Sequence, residues 1–276
     1  MAPNELFTGT EDYIADSALL ADVNAAIVLQ KPLLVRGEPG TRKTMLAQAI
    51  SQSLGKRLIR WHVKSTTKAQ EGLYTYDVVQ RLNDSRFGGG DVGNIAHYIK
   101  MGPLGEAFSS NEQVIVLIDE IDKADIEFPN DLLRELDEMA FYIPETNETI
   151  ESKHRPIVLI TSNAEKELPD AFLRRCLFHY IEFPSPERMR QIVAAHYPNL
   201  DADLVTTAIE RFYAIRKVDG LRKKPSSSEL LDWLAVLSRM GASSELIREQ
   251  LPLMSTLIKR EQDVALLNQL RARRRF

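Results

Sequence analysis

The chain has 276 residues, of which 44% are hydrophobic and 27% are charged, a balance that excludes intrinsic disorder as its main state. A formal net charge of -4 argues against a dedicated nucleic-acid binder, because such proteins usually carry a basic excess. The single cysteine, Cys176, excludes an intrachain disulfide and favours a reducing, cytoplasmic setting. The sequence predicts neither a secretory signal nor a membrane span, since no apolar run approaches the roughly 20 residues that a span needs.

Short apolar runs predict buried strands, and amphipathic stretches separate them. The strand-like runs are residues 33–35, 114–118, 157–160 and 180–183, with a more polar run at 58–63 that we expect near a sheet edge. Helical spacing appears at 45–50, where Gly55 suits the end of the helix, and again at 132–139. Strands that alternate with helices predict an α/β fold, in which a mostly parallel sheet has helices on both faces.

Two further segments depart from this alternation. Residues 64–105 predict an insertion, with some alternation at 73–82, a loop tip at 88–90 and a helical pattern at 94–98. After Phe183 no strand-like run appears, and helical spacing recurs at 189–197, 204–215, 230–237 and 247–257. Ser226 and Glu229 predict a capping box at a helix start. We therefore predict an α/β domain over residues 1–183 and a helical domain over residues 184–276.

The last residues of the chain form a basic cluster, made of Arg271, Arg273, Arg274 and Arg275. A solvated chain end is the interpretation that we favour for this cluster. Contact with an anion or a partner is the alternative.

The strongest chemical signal is a segment that follows a predicted strand and opens a predicted helix. Its residues are Gly37, Glu38, Pro39, Gly40, Thr41, Arg42, Lys43 and Thr44. Consecutive amides at a helix start favour an anion, so this segment predicts a phosphate-binding loop. Lys43 would then reach the outer phosphates of a nucleotide, and the Thr44 hydroxyl would ligate magnesium. A plain strand–turn–helix connection is the alternative.

Polar residues follow two other predicted strands, where ligands bind in open α/β sheets. Asp119 could hold the magnesium ion, and Glu120 could polarise the attacking water. Asn163 could orient that water against the γ-phosphate, although it could equally be an ordinary helix cap.

Two adjacent arginines, Arg174 and Arg175, follow the last of these strands. A guanidinium supplied from a neighbouring subunit would stabilise charge on the transferring phosphoryl group, which is the role of an arginine finger. A pair of surface ion pairs is the alternative.

Other chemistries have little support in the sequence. The five histidines lack the paired spacing of a zinc site, and no G-x-S-x-G motif predicts a serine hydrolase. Tyr74, Tyr76 and Phe87 could grip a threaded client, but we favour packing of these rings inside the insertion.

These motifs, in this order and with a helical domain behind them, resemble the AAA+ ATPases and, more closely, their MoxR branch. The resemblance extends over segments 31–35 (KPLLV), 102–107 (GPLGEA), 141–146 (FYIPET) and 168–176 (LPDAFLRRC). Several of these segments are similar to the MoxR type found beside carbon monoxide dehydrogenase genes, which assists assembly of a molybdenum–copper site.

The resemblance implies a P-loop NTPase fold, a three-layer αβα sandwich with a C-terminal helical lid. It places the 157–160 strand between the phosphate-loop strand and the strand that ends at Asp119, and it implies a hairpin within residues 138–156. ATP and Mg²⁺ would be the cofactors, bound at subunit boundaries of a ring that is typically a hexamer. The implied partners are a protein with a von Willebrand factor A domain and a protein client, which is remodelled or receives a metal cofactor.

Two departures from the family pattern bear on activity. Arg42 stands where the pattern has glycine; its backbone could still be helical, but its side chain would crowd the phosphate, so we predict weak nucleotide binding and low hydrolysis. The lid arginine of the family has no clean match, and Lys223 or Lys224 could substitute for it. The leading hypothesis is therefore a MoxR-like ATPase. The alternatives are a nucleotide-insensitive AAA+ scaffold and, disfavoured by the acidic balance, a DNA-handling motor.

Overall fold

The computed structural model of the chain describes residues 6–10, 13, 15–88 and 91–272. The described residues divide into two compact units. The first consists of the residues up to Gly37 together with Arg42–Ile181, and the second of Glu38–Thr41 together with the residues from Glu182 onward.

The first unit contains all the described strands. They are β1 (Leu33–Gly37), β2 (Leu58–His62), β3 (Tyr74–Tyr76), β4 (Ile99–Met101), β5 (Ile115–Asp119), β6 (Ala140–Ile143), β7 (Glu148–Glu151), β8 (Ile157–Ser162) and β9 (Leu177–Ile181). Its α-helices are α1 (Ser17–Leu29), α2 (Lys43–Leu54), α3 (Ala69–Leu73), α4 (Val78–Phe87), α5 (Pro103–Phe108), α6 (Phe128–Asp131), α7 (Leu133–Glu138) and α8 (Asp170–Leu173).

Five of these strands form one parallel sheet in the order β2-β5-β8-β1-β9. Every residue of β5 and of β8 is buried, as expected for central strands of a parallel sheet that is covered on both faces. The edge strand β2 instead alternates between buried and exposed residues. The predicted α/β fold is confirmed, and so are the position of β8 between β1 and β5 and the edge position of β2.

Helices cover both faces of the sheet, which makes three layers. On one face, Leu33 and Leu117 pack in a core with Val23 of α1 and Ile50 of α2. On the other face, the strand residues belong to a second core that includes Leu104 and Phe108 of α5 and Phe172 of α8. The alternation of side chains along β1 and β5 therefore contributes to two separate cores.

The last strand of the sheet begins earlier than the sequence predicted. The run at 180–183 predicted a strand there, whereas β9 spans Leu177–Ile181. Its register with β1 runs from Leu33 opposite Leu177 to Gly37 opposite Ile181, so residues 182 and 183 lie beyond the end of the partner strand. Pairing with β1 sets the limits of β9, and local hydrophobicity does not.

Two small antiparallel sheets accompany the central one. β6 pairs with β7, which confirms the hairpin expected within residues 138–156. In the predicted insertion, β3 pairs with β4. The alternation expected at 73–82 is wrong beyond Tyr76, because Asp77 caps α4 by accepting a hydrogen bond from the amide of Gln80. The helical pattern at 94–98 is confirmed as a 3₁₀ helix, Ile95–Tyr98.

The second unit is helical beyond residue 185. Its helices are α9 (Pro186–His196), α10 (Ala202–Arg216), α11 (Ser227–Arg239), α12 (Ser244–Gln250), α13 (Met254–Leu257) and α14 (Glu261–Ala272). They enclose a core that includes Phe212, Trp233 and Ile247. None of the described helices of either unit has both the length and the apolar content of a membrane-spanning segment.

The capping box predicted for the second unit is confirmed, with the Ser226 amide donating to Glu229 Oε2 at 2.7 Å. The single helix suggested by the spacing at 247–257 is wrong. Pro252 cannot continue a helix, and the chain breaks there between α12 and α13. The predicted basic cluster is described only at Arg271, and Arg273, Arg274 and Arg275 lie outside the described residues.

Two glycines of the segment 102–107 allow the start of α5 to lie directly against α3. A Cβ at Gly102 would be 2.1 Å from the Glu71 carbonyl oxygen, and a Cβ at Gly105 would be 1.9 Å from the Leu73 carbonyl oxygen. Backbone atoms cannot move aside as the end of a flexible side chain can. Close backbone packing therefore accounts for both glycines.

We predict that Gly105→Ala destabilises the protein, because the added methyl group would force α3 and α5 apart. Overpacking of this kind costs about 1–3 kcal/mol, which thermal unfolding would register as a lower Tm. Gly93→Ala is the matched control, since its Cβ would meet only the flexible Asp91 carboxylate at 3.3 Å. Equal Tm values for the two variants would contradict this account of the segment.

Candidate functional site

The predicted phosphate loop connects β1 to α2 in the first unit. Arg42 is the N-cap residue of α2 and supplies no side-chain hydrogen bond to the helix amides. Amides at a helix start have no intrahelical acceptor and carry partial positive charge, so they favour an anion. The Lys43 ammonium is buried and donates to the Gly37 carbonyl at 2.8 Å, which folds the lysine back along the loop.

The backbone of Arg42 is left-handed, with φ 62 and ψ 26. The sequence left open a helical backbone for this arginine, but the residue precedes the helix and helps to turn the chain into it. Gly40, two residues earlier, also has a positive φ of 84. Glycine takes such a conformation without strain, whereas a residue with a Cβ takes it at a cost of about 1–2 kcal/mol.

The tip of the loop, residues 38–41, belongs to the second unit. Within that unit, Arg216 donates to Glu38 Oε2 at 2.6 Å, and the Ser227 hydroxyl donates to the Gly40 carbonyl at 2.9 Å. Thr41 Oγ1 donates to the Glu38 carbonyl at 2.8 Å. The sequence did not reveal Arg216 or Ser227 as neighbours of the loop, because both lie far from it along the chain.

Arg216 is a buried cation with three kinds of partner. Besides Glu38, it donates to the Pro225 carbonyl, and its guanidinium carbon lies 3.4 Å from the centroid of the Phe183 ring. A buried charge is tolerated when it is paired and hydrogen-bonded, as this one is.

Asp119 lies at the end of β5 and approaches the start of α2. The Thr44 hydroxyl is 3.1 Å from Asp119 Oδ1 and 3.3 Å from Oδ2. Magnesium takes oxygen ligands at about 2.1 Å in an octahedron, so neighbouring ligand oxygens lie about 3 Å apart. The spacing between these two side chains matches that distance, and both supply hard oxygen donors. Thr44 and Asp119 therefore fit a shared Mg²⁺ ion.

Thr161, on the neighbouring strand β8, braces both acids of the site. Its hydroxyl donates to Asp119 Oδ1 at 2.6 Å and accepts from the Glu120 amide at 2.8 Å. The sequence did not single out Thr161. Its only local signal is that of a polar residue near the end of an apolar strand, two residues before Asn163.

A second side chain that the sequence did not single out is His62, at the end of the edge strand β2. Its Nδ1 lies 3.3 Å from Asp119 Oδ2, because the sheet register places the two residues side by side.

Glu120 is held by two donors. Asn163 Nδ2 donates to Glu120 Oε1 at 2.8 Å, and the Lys123 ammonium binds Oε2. The hydrogen bond from Lys123 to Glu120 raises the pKa of the lysine above its usual value. The alternative prediction, that Asn163 caps a helix, is wrong, because the next helix along the chain, α8, has Pro169 as its N-cap residue.

Arg174 and Arg175 differ from each other in the structure. Arg175 donates from Nε to Asp137 Oδ2 at 2.6 Å, so the ion-pair interpretation holds for this residue. The Arg174 side chain is exposed and makes neither a hydrogen bond nor an ion pair with the described residues. Both line a cavity of about 350 Å³ that Lys31 and Arg155 also line. Four cations against the single Asp137 carboxylate favour an anion in this cavity.

The remaining candidate residues make contacts within their own units. Tyr74 is buried, Tyr76 is half-buried, and Phe87 is 83% exposed, so the expected packing within the insertion holds for the tyrosines only. Lys223 pairs with Glu229 at 3.4 Å.

The described residues hold no group of three or more side chains suited to a transition-metal centre. Burial raises the pKa of the Cys176 thiol to about 12, which makes it a poor nucleophile.

Comparison with known proteins agrees with this geometry. The family model for AAA, the ATPase family associated with various cellular activities, matches residues 33–185. Midasin from Dictyostelium discoideum is 25% identical over 199 residues, which cover 70% of this chain. The matched region is only 3% of the length of Midasin, so the likeness concerns one segment of a much longer protein.

The left-handed backbone of Arg42 leads to a prediction for two variants. Arg42→Gly should remove about 1–2 kcal/mol of backbone strain from the folded state. Glycine also gives the unfolded chain more conformational freedom, which lowers the free energy of unfolding by about 0.5–1 kcal/mol and offsets part of this gain. We expect Tm to rise by about 1–4 °C, measured by thermal unfolding without ligand. With ATP and Mg²⁺ present, we expect a larger ligand-induced rise for Arg42→Gly than for the unaltered chain, because the Cβ no longer crowds the loop.

Arg42→Ala is the matched control, since it removes the guanidinium but keeps the Cβ. We expect no gain in Tm, because the Cβ and its backbone strain remain. We also expect a smaller ATP-induced rise than in the unaltered chain, because the positive charge that favours an anion is lost. An ATP-induced rise that is the same for Arg42→Gly and the unaltered chain would show that the arginine does not weaken nucleotide binding.

Proposed function

The chain belongs to the AAA family of ATPases, and we propose that it binds ATP with Mg²⁺ and hydrolyses it at the carboxyl edge of its parallel sheet. The observation that carries this proposal is the 3.1 Å approach between the Thr44 hydroxyl and the Asp119 carboxylate. That contact joins the start of α2, which is suited to phosphates, to the strand end that carries the acids. A magnesium ion held here by Thr44 and Asp119 would neutralise charge on the phosphates bound at the start of the helix.

Each side chain of the site has a task in this proposal. The Lys43 ammonium exchanges the Gly37 carbonyl for a phosphate oxygen, which is a charged and therefore stronger acceptor. The carboxylate of Asp119 and the hydroxyl of Thr44 would hold Mg²⁺, whose chemistry is to neutralise charge on the phosphates. Glu120 accepts a proton from the water that attacks the γ-phosphorus, while the bond to the ADP oxygen breaks. Asn163 orients the Glu120 carboxylate for that transfer.

We assign the arginine finger to Arg174 and not to Arg175. Arg175 is already neutralised by Asp137, whereas Arg174 is exposed and keeps its guanidinium available for a charge supplied from outside the unit. A finger acts on a nucleotide bound by another subunit, so this assignment requires the chain to form a ring, for which we propose six copies. A donor of this kind stabilises the charge that develops on the transferring group.

We further propose a MoxR-like role, in which ATP turnover drives remodelling of a protein client or insertion of its metal cofactor. The support is the resemblance of four segments, 31–35, 102–107, 141–146 and 168–176. A protein with a von Willebrand factor A domain is the proposed partner, and the single cysteine supports a reducing, cytoplasmic setting. The specific observation that favours a nucleotide-insensitive scaffold instead is the strained Arg42 in the phosphate loop. An ATP-induced rise in Tm would exclude that alternative.

We predict that Glu120→Gln abolishes turnover and leaves nucleotide binding intact. Loss of a general base lowers kcat by about 100-fold or more, whereas the groups that hold the phosphates are unchanged. The measurements are phosphate release at saturating ATP and the ATP-induced rise in Tm. Glu127→Gln, an exposed glutamate on the same loop, is the control and should keep full turnover. Undiminished turnover in Glu120→Gln would remove this residue from its proposed role.

We predict that Arg174→Ala lowers kcat by about 10³-fold, and that Arg175→Ala affects mainly stability, through the loss of its bond to Asp137. Mixing Arg174→Ala with Glu120→Gln should restore part of the turnover. In the mixed ring, a subunit with an intact Glu120 can receive the arginine of a neighbour whose Arg174 is intact. No recovery on mixing would contradict action between subunits.

A further inference from the structure

A buried carboxylate outside the proposed site lies just behind it. Asp122 is 3% exposed and belongs to the 3₁₀ helix Ile121–Lys123 that follows Glu120. Among the described residues it makes no ion pair. Its oxygens accept from two backbone amides of the loop after β8, Oδ1 from Asn163 at 3.3 Å and Oδ2 from Glu165 at 2.9 Å.

These two hydrogen bonds support a strained turn. Ala164 lies between the two amides and has a left-handed backbone with φ 59, a conformation that residues with a Cβ rarely adopt. Its own amide donates to the Ser162 hydroxyl at 3.1 Å. The turn is therefore held by side chains around it, with Asp122 supplying an acceptor on each side of the strained residue.

The same turn sets the position of the asparagine side chain. The Asn163 amide is bound to Asp122, and Asn163 Nδ2 is bound to Glu120. Glu120 and Asp122 are two residues apart on one short segment. They hold Asn163 from its two ends, which closes a ring of contacts between the loops after β5 and β8.

A further contact joins the two loops on their outer side. Lys166 Nζ donates to the Ala124 carbonyl at 2.8 Å. This contact ties the loops together but does not reach Asn163, so it cannot replace Asp122 in setting the asparagine.

We propose that Asp122 is a positioning residue for ATP hydrolysis, which acts by fixing the backbone of Asn163 so that the asparagine amide orients Glu120. This inference rests on the proposed function, because it requires Glu120 to be the general base. Asp122 touches neither nucleotide nor water in this proposal. Its effect must therefore pass through Asn163, and that requirement makes it testable.

The test is a double-mutant cycle of Asp122→Asn with Asn163→Ala. In Asp122→Asn an NH₂ group replaces one carboxylate oxygen and faces a backbone N–H, so one of the two bonds is lost with little change in volume. We expect kcat to fall about 10- to 100-fold and the ATP-induced rise in Tm to stay unchanged. In the Asn163→Ala background, Asp122→Asn should lower kcat by less than about twofold, because the residue through which it acts is already absent.

A readout without nucleotide accompanies the kinetics. Hydrogen exchange at the amides of Asn163 and Glu165 should become faster in Asp122→Asn and remain unchanged in Asp125→Asn, an exposed aspartate of the same loop. If Asp122→Asn folds poorly, Asp122→Ser is the second variant. Its hydroxyl can accept one amide, and we expect an intermediate kcat.

The outcomes are distinguishable. An unchanged kcat in a folded Asp122→Asn, or an equal loss of kcat with and without Asn163, overturns the assignment of Asp122. If either of these results is found while Glu120→Gln abolishes turnover, the proposed function stands and only the assignment of Asp122 fails. Full turnover in Glu120→Gln would overturn the proposed function and this inference with it.

Discussion

The whole candidate site depends on the contact between Thr44 and Asp119. Thr44 follows β1 and Asp119 ends β5, and these strands are not neighbours in the sheet, so the contact must cross the strand between them. Because β8 lies between β1 and β5, the phosphate-loop strand and the strand of Asp119 are two positions apart, or about 10 Å at the usual strand spacing. The first residues of α2 lie close to the carboxyl end of β5, so that Thr44 contacts the Asp119 carboxylate. Thr161 of β8, the strand between β1 and β5, bonds through its hydroxyl to Asp119 and to the amide of Glu120. The strand that separates the two motifs therefore also contributes a side chain that fixes the acids.

Three residues at this edge have a strained backbone, and hydrogen bonds support them unequally. Arg42, Glu120 and Ala164 all have a positive φ without being glycine, a conformation that costs about 1–2 kcal/mol for each. The Glu120 amide is bound by Thr161, and the amides that flank Ala164 are bound by Asp122, so hydrogen bonds hold two of the three in place. Arg42 has no side-chain hydrogen bond to the helix that it caps. A single substitution of Arg42 can therefore relieve its strain. Substitution of Glu120 or Ala164 would also disturb the hydrogen bonds that hold the neighbouring loops.

The sequence predicted the site residues that belong to a local motif. It missed the residues whose role depends on which strands pair and in which register. Asp119 ends β5, Asn163 directly follows β8, and the helix after β1 begins with Lys43 and Thr44. Prediction of the strands therefore brings all four residues to one edge of the sheet. Thr161 and Asp122 become meaningful only when β8 is paired with β5 and the loops beyond them meet, and no local pattern indicates that pairing. The limits of β9 were misplaced for the same reason, since its pairing with β1 fixes them. The helix break at Pro252 could have been predicted from the sequence, because proline interrupts a helix whatever the hydrophobic spacing around it.

The two donors on Glu120 fix its carboxylate for its proposed work. Their hydrogen bonds remove rotational freedom that would otherwise have to be lost when the attacking water is oriented. Asn163 holds Oε1 and Lys123 holds Oε2, yet each oxygen has a second lone pair, so water can still bind without displacing either donor. A base that is fixed in place suits a reaction in which positioning and charge stabilisation account for most of the rate, as in phosphoryl transfer. The asparagine and its support from Asp122 therefore contribute through the orientation of the Glu120 carboxylate.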